Sequence, residues 1–497
     1  MGLAPRGDYL DGRFVPITRA DGELSIADPG DLDATPSRFP FALPAVDEAV
    51  GAARRAWPAW AATPDAQRHA GLRRFADALS KREDEAARVI VAEMGKTLRE
   101  ARAEVRSAVE KIGITIDEAL RFVAPFGVAG GRCRWRPRGV LTVLGPFNFP
   151  LHLPNGHIVP ALATGNCVVF KPSEITPGAG QIAAECWDAA GLPPGVFNLV
   201  QGDARSGSRL AIHPDVNGVL FTGSFETGDR IRRALIDQPG KILALEMGGK
   251  NAAIVLADAD LDRAVSECFL SAFQTSGQRC SSTSRLILDA PIAGAFVERF
   301  AAMARGARIG HGTDPETFLG PLATQRSLER FLSFQEIARR EGAMTVLAAS
   351  RPATPRRGHY VSPSMHRIAR VDAGSRYQQE EIFGPDVSVL VVRGLDEALA
   401  AQDVTRYGLA LSIFTGRRAA YEEAWLRSEV GVLNWNRGTA GASSHLPFGG
   451  RRRSGNDSPS ALLAPVYCAY PVASLETEAP FDPSSLPPGV PRPGRKP

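Results

Sequence analysis

Apolar and polar residues follow two different rhythms along the chain. From Val46 to about Val105, apolar residues recur at helical spacing in a segment rich in Ala, Arg, Glu and Leu, which predicts two or three amphipathic helices. From Gly139 onward, short β-rich runs such as GVLTVLG, NCVVFKP and VNGVLFTGS recur, with helical patterns between several of them. This alternation predicts βαβ units and a parallel sheet covered on both faces. A further α/β stretch is expected from about Leu261 to Leu433.

Polar residues follow four of the predicted strands. Ligands of open parallel sheets bind outside the carboxyl ends of the strands, where loops and helix N-termini meet. The residues at these ends are Asn148 in PFNFP, Lys171 and Glu174 in KPSE, Gly223 and Ser224 in TGSFETG, and Glu246 before MGGKN. A loop or cap role explains any one of them, but four such strand ends together predict a binding site.

Two of these strand ends suit a dinucleotide. TGSFETG is not a GxGxxG pattern, but its glycine turn and Ser224 precede a predicted helix, and a helix N-terminus favours a phosphate group. KPSE adds a cation and a carboxylate at a neighbouring strand end. A carboxylate there accepts hydrogen bonds from ribose hydroxyls and repels a 2′-phosphate. The pattern therefore favours NAD over NADP.

One cysteine, Cys280, stands among small and hydroxylated residues in the stretch TSGQRCSST. Buried structural cysteines behave as small hydrophobes, so either this thiol is incidental to a polar loop or its small neighbours leave room for a substrate. A thiolate that attacks an aldehyde leaves a thioester after hydride loss, and the thioester needs water and a base. Glu246, with a pKa raised by partial burial, suits that second task. Arg279 is a candidate for lowering the thiol pKa.

Composition and charge narrow the function classes. The chain has 497 residues, 44% of them hydrophobic and 23% charged, and a formal net charge of +4, which is ordinary for a globular protein. Nucleic-acid and membrane partners therefore have little support, and no apolar run is long enough to predict a membrane span. The six cysteines are scattered without metal-ligand spacing, which predicts free thiols, no metal site and a cytoplasmic, reducing location.

Seven short motifs occur along the chain in an order that resembles that of one protein family. They are PFNFP, KPSE, FTGS, LEMGGKN, GQRCSS, EEIFGP and NWN…PFGG, and they span residues 145 to 450. In their order and content they resemble the aldehyde dehydrogenase superfamily. The resemblance implies an α/β fold with a Rossmann-type parallel-sheet cofactor domain, an α/β catalytic domain and a small β oligomerisation arm. It also implies oxidation of an aldehyde with NAD through a cysteine thiohemiacetal and a thioester.

The resemblance assigns roles to residues that match these motifs. Cys280 is expected to be the nucleophile and Glu246 the base for the hydrolytic water. Asn148 and the backbone N–H of Cys280 are expected to form the oxyanion hole. The expected cofactor contacts are Lys171 and Glu174 at the adenosine ribose, Gly223 and Ser224 at the pyrophosphate turn, and Glu381 and Phe383 at the nicotinamide ribose and ring.

Longer stretches resemble one branch of this superfamily. GPFNFPLHLPNGHIVPALATGN and SGN…PSA…YCAYP resemble the branch that oxidises N-succinylglutamate 5-semialdehyde in the arginine succinyltransferase pathway. An aldehyde with carboxylate groups is therefore expected. The small residues of GTAGASS can present backbone N–H groups to a carboxylate, so Gly441 and Ala442, with Ser281 or Ser282, are predicted to hold the α-carboxylate.

Several alternatives stay open at this point. The Gly/Ser stretch is equally well a flexible turn. The substrate could be glutamate or succinate semialdehyde. An acylating enzyme would pass the thioester to coenzyme A, although a water-activating Glu246 argues against that. A catalytically silent protein on the same fold is a further alternative, which the joint presence of Cys280, Glu246, Asn148 and Glu381 disfavours.

The domain boundaries follow from these patterns. Residues 1–118 and 139–248 are predicted to form the NAD-binding domain, and residues 249–447 the catalytic domain. Residues 119–138 and 460–476 are predicted to form an arm that pairs with another subunit in a homodimer or higher homo-oligomer. The Pro-rich segment 478–497 is predicted to be disordered.

Overall fold

A computed structural model describes residues 3–492 and 494. The strands are β1 (Asp8–Leu10), β2 (Arg13–Val15), β3 (Gly22–Ile26), β4 (Ser37–Phe41), β5 (Phe126–Val128), β6 (Gly131–Pro137), β7 (Val140–Leu144), β8 (Cys167–Lys171), β9 (Phe197–Leu199), β10 (Gly218–Gly223), β11 (Ile242–Met247), β12 (Asn251–Val255), β13 (Thr283–Asp289), β14 (Met344–Leu347), β15 (Ser364–Arg367), β16 (Asp386–Val392), β17 (Tyr407–Gly408), β18 (Ala410–Phe414), β19 (Val432–Trp435), β20 (Pro447–Phe448), β21 (Arg451–Arg452), β22 (Ser460–Ala461) and β23 (Ala469–Leu475).

The α-helices are α1 (Ala45–Ala62), α2 (Asp65–Lys81), α3 (Glu83–Met94), α4 (Leu98–Asp117), α5 (His152–Ala163), α6 (Pro177–Ala190), α7 (Ala204–Ile212), α8 (Phe225–Ala234), α9 (Leu261–Phe273), α10 (Ala290–Gly306), α11 (Gln325–Arg340), α12 (Arg376–Gln379), α13 (Gly394–Asp403), α14 (Arg418–Arg427) and α15 (Ala464–Cys468). Short 3-10 helices span Ala119–Val123, Gln274–Gly277 and Pro483–Ser485.

Two seven-stranded sheets organise the molecule. The first has the order β11-β10-β7-β8-β9-β1-β2, and the second has the order β14-β15-β16-β13-β12-β18-β19. Each is parallel except at one end, where β1 and β2 or β14 pair antiparallel. The α/β fold with parallel sheets is thus as predicted. The chain passes from β11 of the first sheet to β12 of the second through residues 248–250, so Glu246 and Cys280 lie on opposite sides of this crossing.

Hydrophobic cores cover both sheets. In β12, Ala252 and Ile254 belong to one core of the second sheet, whereas Ala253 and Val255 belong to another. Because alternate residues of a strand face opposite sides, these two cores lie on the two faces of that sheet. The core of the first sheet includes the apolar faces of α1 to α6.

The N-terminal helical region differs from the prediction in number. The structure has four helices, α1 to α4, where two or three were expected. The breaks between them are short: Thr63–Pro64, Arg82, and the segment 95–97. Gly95 ends α3 in the left-handed conformation (φ 80°), and Thr97 begins α4 with a capping box in which its side chain and that of Glu100 bind each other's backbone N–H groups.

A separate three-stranded antiparallel sheet has the order β23-β6-β5. Its strands cover parts of the two segments predicted to form an arm, residues 126–137 and 469–475, and Phe126, Val128 and Leu475 on it are exposed. The described part of the C-terminal segment, 478–492 and 494, contains one 3-10 helix; positions 493 and 495–497 of the predicted disordered tail lie outside the described residues. Within the described residues, no helix is long and apolar enough to cross a membrane.

Candidate active site

A cavity of about 1590 Å³ lies where the carboxyl ends of strands in the first sheet meet the amino ends of β12, β13 and β16 in the second sheet. Most of the residues that the sequence singles out line it: Asn148, Lys171, Glu174, Gly223, Ser224, Glu246, Cys280, Ser281, Glu381, Phe383, Gly441 and Ala442. Residues from four strand ends and from three later loops are therefore brought together in one space. Its volume exceeds that of a typical single-ligand pocket, so it is large enough for a dinucleotide and a second small molecule.

The loop that carries Cys280 is held in an unusual backbone conformation. Thr275 and Ser276 both have positive φ (55° and 54°), which costs free energy for residues with a side chain. Two contacts fix the loop: the Thr275 N–H and hydroxyl donate to Glu100 of α4 at 2.8 and 3.0 Å, and the Asn251 side chain donates to the Cys280 carbonyl at 2.8 Å. The half-buried thiol therefore faces the cavity from a rigid support.

The Cys280 thiol is protonated at neutral pH in this environment. Burial, chiefly, and the carboxylates of Glu381 and Glu246 raise its pKa to about 12, against the opposing effect of nearby backbone N–H groups. The predicted help from Arg279 is absent because its guanidinium group pairs with Glu100 at 3.1 Å and also donates to the Thr275 hydroxyl. Arg279 therefore stabilises the loop, and a base must accept the thiol proton.

Glu246 is the second-last residue of strand β11 and carries a buried carboxyl group, with the residue 5% exposed. Its Oε1 accepts the Ser460 N–H at 3.2 Å, whereas Oε2 has no hydrogen-bond partner among the described residues. Burial raises its pKa to about 8, and the Ser460 N–H and the positive charge of Lys111 act in the opposite direction. Such a carboxyl group can exchange a proton near neutral pH.

Asn148 lies in the segment between β7 and α5, with its side chain 4% exposed. Its Nδ2 donates to the Gln278 carbonyl at 3.0 Å, two residues before Cys280. A buried ion pair supports the segment: Lys96 Nζ lies 2.7 Å from both Glu104 Oε2 and the Asn148 carbonyl. Glu104 Oε1 in turn accepts the Leu151 N–H at 2.9 Å. The amide of Asn148 is thus fixed beside the cysteine loop.

The other end of the cavity carries a cation, a carboxylate and a helix N-terminus. Lys171 Nζ donates to the Pro172 carbonyl at 2.8 Å and lies 3.9 Å from the exposed carboxylate of Glu174. Burial lowers the Lys171 pKa. Ser224 begins α8, and its hydroxyl accepts the Thr227 N–H at 3.3 Å. These groups fit a dinucleotide because they offer donors to phosphate and an acceptor to ribose hydroxyls.

Glu381 and Phe383 face the middle of the cavity. Glu381 Oε1 accepts the Gly249 N–H at 2.9 Å, and burial raises its pKa to about 7. A Cβ at Gly248 would stand 2.0 Å from Glu381 Oε2, so only glycine lets this carboxyl group pack against the crossing between the sheets. Phe383 has a positive φ of 58°, and its ring meets Phe147 edge-on.

The structure places some of the predicted substrate-binding residues at the cavity and others away from it. Ser281 and residues 441–444 line the cavity, and Gly441 has a positive φ of 93°. Ser282 does not line it: its N–H donates to the Arg279 carbonyl, and its buried hydroxyl has no hydrogen-bond partner among the described residues. Of the two serines beside Cys280, only Ser281 is therefore placed to reach a ligand in the cavity.

Comparison with known proteins agrees with this geometry. Residues 41–463 match the aldehyde dehydrogenase family. The chain belongs to the aldehyde dehydrogenase family. It is 43% identical over 451 residues to N-succinylglutamate 5-semialdehyde dehydrogenase of Ectopseudomonas mendocina (strain ymp), covering 90% of this chain and 92% of that protein. The protein of the same name from Yersinia pestis bv. Antiqua (strain Angola) is 42% identical, covering 89% of this chain and 88% of that protein.

Solved aldehyde dehydrogenase structures share the whole fold. A mutant of aldehyde dehydrogenase C from Pseudomonas syringae, in complex with NAD+ and octanal, superposes with a TM-score of 0.90 at 29% identity, covering 96% of this chain and 98% of that one. A 1-pyrroline-5-carboxylate dehydrogenase from Thermus with bound NAD gives a TM-score of 0.88 at 30% identity, covering 95% and 93%. The predicted family and fold class are thus confirmed.

The structure of this aldehyde dehydrogenase adds cavity residues that sequence reasoning missed. Glu104 and Lys111 of α4 and His152 of α5 line the cavity, and Lys96 supports it through its ion pair with Glu104. Arg453 lines the cofactor-side wall with its guanidinium 4.4 Å from the centre of the Phe225 ring. None of these residues follows an apolar strand, so the strand-end pattern could not find them. A lysine on the apolar face of α4 was the one available indication.

Proposed function

We propose that the protein oxidises N-succinylglutamate 5-semialdehyde to N-succinylglutamate with NAD, as a step of arginine catabolism. The observation that carries the proposal is the pairing of a reactive cysteine with a buried, half-unpartnered carboxyl group in one cavity, in a chain that is 43% identical to a dehydrogenase of that name. The carboxylate-bearing aldehyde is inferred from these relatives, whereas the reaction chemistry is inferred from the residues of this chain.

The residues suit a covalent route. Cys280 Sγ bonds to the aldehyde carbon, and the oxygen that becomes negative is stabilised by Asn148 Nδ2 and the Cys280 N–H, donors that are worth about 3–4 kcal/mol each in such sites. Bound NAD supplies the hydride acceptor. Glu246 Oε2, which has no partner among the described residues, accepts the proton of the thiol and passes it to solvent. The regenerated carboxylate then accepts a proton from the water that attacks the thioester, and the carbon–sulfur bond breaks to release the acid and Cys280.

The cofactor contacts are assigned to the wide end of the cavity. We assign Lys171 and Glu174 to the adenosine ribose, and Gly223 and Ser224 at the start of α8 to the pyrophosphate. Glu381 and Phe383 are assigned to the nicotinamide ribose and ring. The exposed Glu174 carboxylate, beside a lysine 3.9 Å away, supports NAD rather than NADP because it would repel a 2′-phosphate.

One carboxylate of the substrate is assigned to the loop 441–444 and Ser281. The loop lines the cavity and Gly441 is left-handed there, a conformation that supports an anion-binding turn of backbone N–H groups. An Ala442→Pro variant removes one N–H, so we expect its KM for anionic aldehydes to rise at unchanged melting temperature. An unchanged KM would contradict this assignment.

The assembly is also a proposal. We infer a cofactor domain of residues 1–118 and 139–248, a catalytic domain of residues 249–447 and an arm of residues 119–138 and 460–476. The exposed apolar side chains of Phe126, Val128 and Leu475 on the arm support pairing with a second copy of the chain, since large exposed apolar groups mark interaction surfaces. Sedimentation analysis of wild type and of Phe126→Ser tests this homo-oligomer.

Steady-state turnover tests the proposed function. With NAD, we expect kcat/KM for N-succinylglutamate 5-semialdehyde to exceed that for glutamate and succinate semialdehydes by at least about tenfold, the discrimination that one added contact provides. Cys280→Ser serves as the inactive control. A higher kcat/KM for either smaller semialdehyde would show that this semialdehyde is the preferred substrate. A requirement for coenzyme A would show that the thioester is transferred to coenzyme A and not hydrolysed.

A further inference from the structure

Helix α4 places a lysine without a partner in the wall of the cavity. Lys111 is 3% exposed and lines the cavity together with Glu246 and Cys280. Among the described residues, none gives its ammonium group a hydrogen bond or an ion pair. The other buried lysine of this region, Lys96, is instead fully paired with Glu104 at 2.7 Å. The two lysines therefore have different tasks.

The end of the Lys111 side chain lies beside the neighbouring helix α5. A Cβ at Gly156 of α5 would stand 3.6 Å from Lys111 Cε and 4.0 Å from Nζ, which is ordinary contact distance. Gly156 also lines the cavity. The end of the Lys111 side chain therefore lies beside Gly156 at the wall of the cavity that also contains Cys280.

The charges around Lys111 leave it in need of an anion. Its electrostatic environment includes Glu246, which is itself a weak acid because of burial. His152 and His157 of α5 are buried and neutral, with pKa values lowered to about 3 mainly by burial and further by Lys111. A buried cation without a paired anion costs free energy, and that cost is recovered when a carboxylate enters the cavity.

We propose that the Lys111 ammonium group binds a carboxylate of the aldehyde substrate and makes this cavity selective for anionic aldehydes. The inference rests on the proposed function and deepens it. The loop 441–444 also lines the cavity, so the site offers two anion-binding positions, which suits a dicarboxylate. The same ammonium group disfavours an aldehyde with a free amino group, because two cations would then share a desolvated space.

The experiment compares charged and uncharged aldehydes in wild type and Lys111→Met. Hydrogen bonds to charged groups typically account for a change of about 10- to 150-fold in binding. We expect kcat/KM for N-succinylglutamate 5-semialdehyde to fall by about that factor, and kcat/KM for pentanal to stay within about threefold. Lys81→Met, on the exposed end of α2, is the matched control and should leave both values unchanged.

A second measurement avoids catalysis. Calorimetric titration with N-succinylglutamate, the expected product, should give a Kd that rises in Lys111→Met by a factor similar to the loss in kcat/KM. If Lys111 acts only by lowering the Glu246 pKa, both aldehydes lose rate equally and product binding does not change; that result would overturn the proposal. Lys111→Gln, which keeps a polar end group, serves if Lys111→Met does not fold.

The outcomes separate this inference from the proposed function. If wild type does not prefer N-succinylglutamate 5-semialdehyde, the proposed substrate is wrong. The Lys111 inference is then tested with succinate semialdehyde against pentanal. It stands if Lys111→Met removes a preference for the carboxylated aldehyde, and it falls if wild type shows no such preference.

Discussion

Two lysine–glutamate pairs at opposite ends of the cavity illustrate different uses of charge. Lys96 and Glu104 have completely buried side chains and lie 2.7 Å apart. Both also form hydrogen bonds with the backbone around Asn148. Lys171 and Glu174 lie 3.9 Å apart, and the glutamate side chain is 56% exposed. The first pair is closed and holds the protein's own loop, whereas the second is open and can bind a ligand.

The same distinction applies to the other buried charged groups. Glu246 keeps one oxygen without a partner, and Lys111 has no ion pair among the described residues. A buried polar group is costly when it is unsatisfied, so open groups in a cavity indicate binding or catalysis, and closed groups indicate structure. This comparison predicts different kinds of loss when each group is neutralised.

The largest effect is expected from Glu246→Gln. The amide has the size of the carboxyl group but cannot accept a proton, so steady-state kcat should fall by about 10²- to 10⁴-fold, the usual contribution of a general base. NADH absorbance measured at saturating aldehyde and NAD gives the value. An unchanged melting temperature would show that the loss is chemical, and retention of a tenth or more of the wild-type rate would contradict the assignment of Glu246 as the base.

Neutralising one member of the closed pair should affect stability first. Lys96→Met leaves the Glu104 carboxylate buried without its cation, which typically costs about 3–5 kcal/mol. We expect the midpoint of chemical denaturation to fall accordingly.

The double variant Lys96→Met/Glu104→Leu removes both charges and provides the control. Much of the lost stability should return, because replacing both partners by apolar groups is often neutral. Activity should stay low, since the Asn148 carbonyl and the Leu151 N–H remain without their partners. If the double variant were as unstable as Lys96→Met, the pair would not be the cause of the instability.

The polar groups at strand ends could be predicted from sequence, and the buried charged groups on helix α4 could not. Asn148, Lys171, Ser224 and Glu246 each follow an apolar run, and parallel strands bring their carboxyl ends to one edge. Glu104 and Lys111 instead lie on an amphipathic helix, where charged residues usually face solvent. Their burial arises only when α4 packs against α5, a tertiary contact that the pattern of α4 does not specify.

The number of N-terminal helices and the position of Ser282 outside the cavity lining depend on local backbone structure that the sequence pattern does not show. The four N-terminal helices are separated by breaks of one to three residues, which are too short to interrupt a periodic apolar pattern clearly. Ser281 and Ser282 are chemically identical in the sequence, and only the turn from Ser282 N–H to the Arg279 carbonyl shows which hydroxyl turns away from the cavity.

The pH dependence of turnover should report the open carboxyl group. The Glu246 pKa is raised to about 8, so the carboxyl is mostly protonated at pH 7 and mostly ionised at pH 9. If hydrolysis limits turnover, kcat should increase about ninefold over this interval, as the ionised fraction rises from about one tenth to nine tenths. Lys111→Met should move the midpoint only slightly to higher pH, because the lysine charge is the smallest of the effects that favour the ionised carboxylate. A midpoint near the ordinary glutamate value would contradict the raised pKa.

The smallest effect is expected at the open pair, from Glu174→Gln. In the proposed assignment, the exposed carboxylate contributes a hydrogen bond to a ribose and a repulsion towards a 2′-phosphate, so the ratio of kcat/KM for NAD to that for NADP should fall by about five- to tenfold. The maximal rate with NAD should not change, because Glu174 lies at the cofactor end of the cavity, away from Cys280. Glu316→Gln, on an exposed glutamate paired with Arg308, is the matched control. An unchanged cofactor ratio in Glu174→Gln, or an equal change in Glu316→Gln, would show that the open pair does not discriminate between the two dinucleotides.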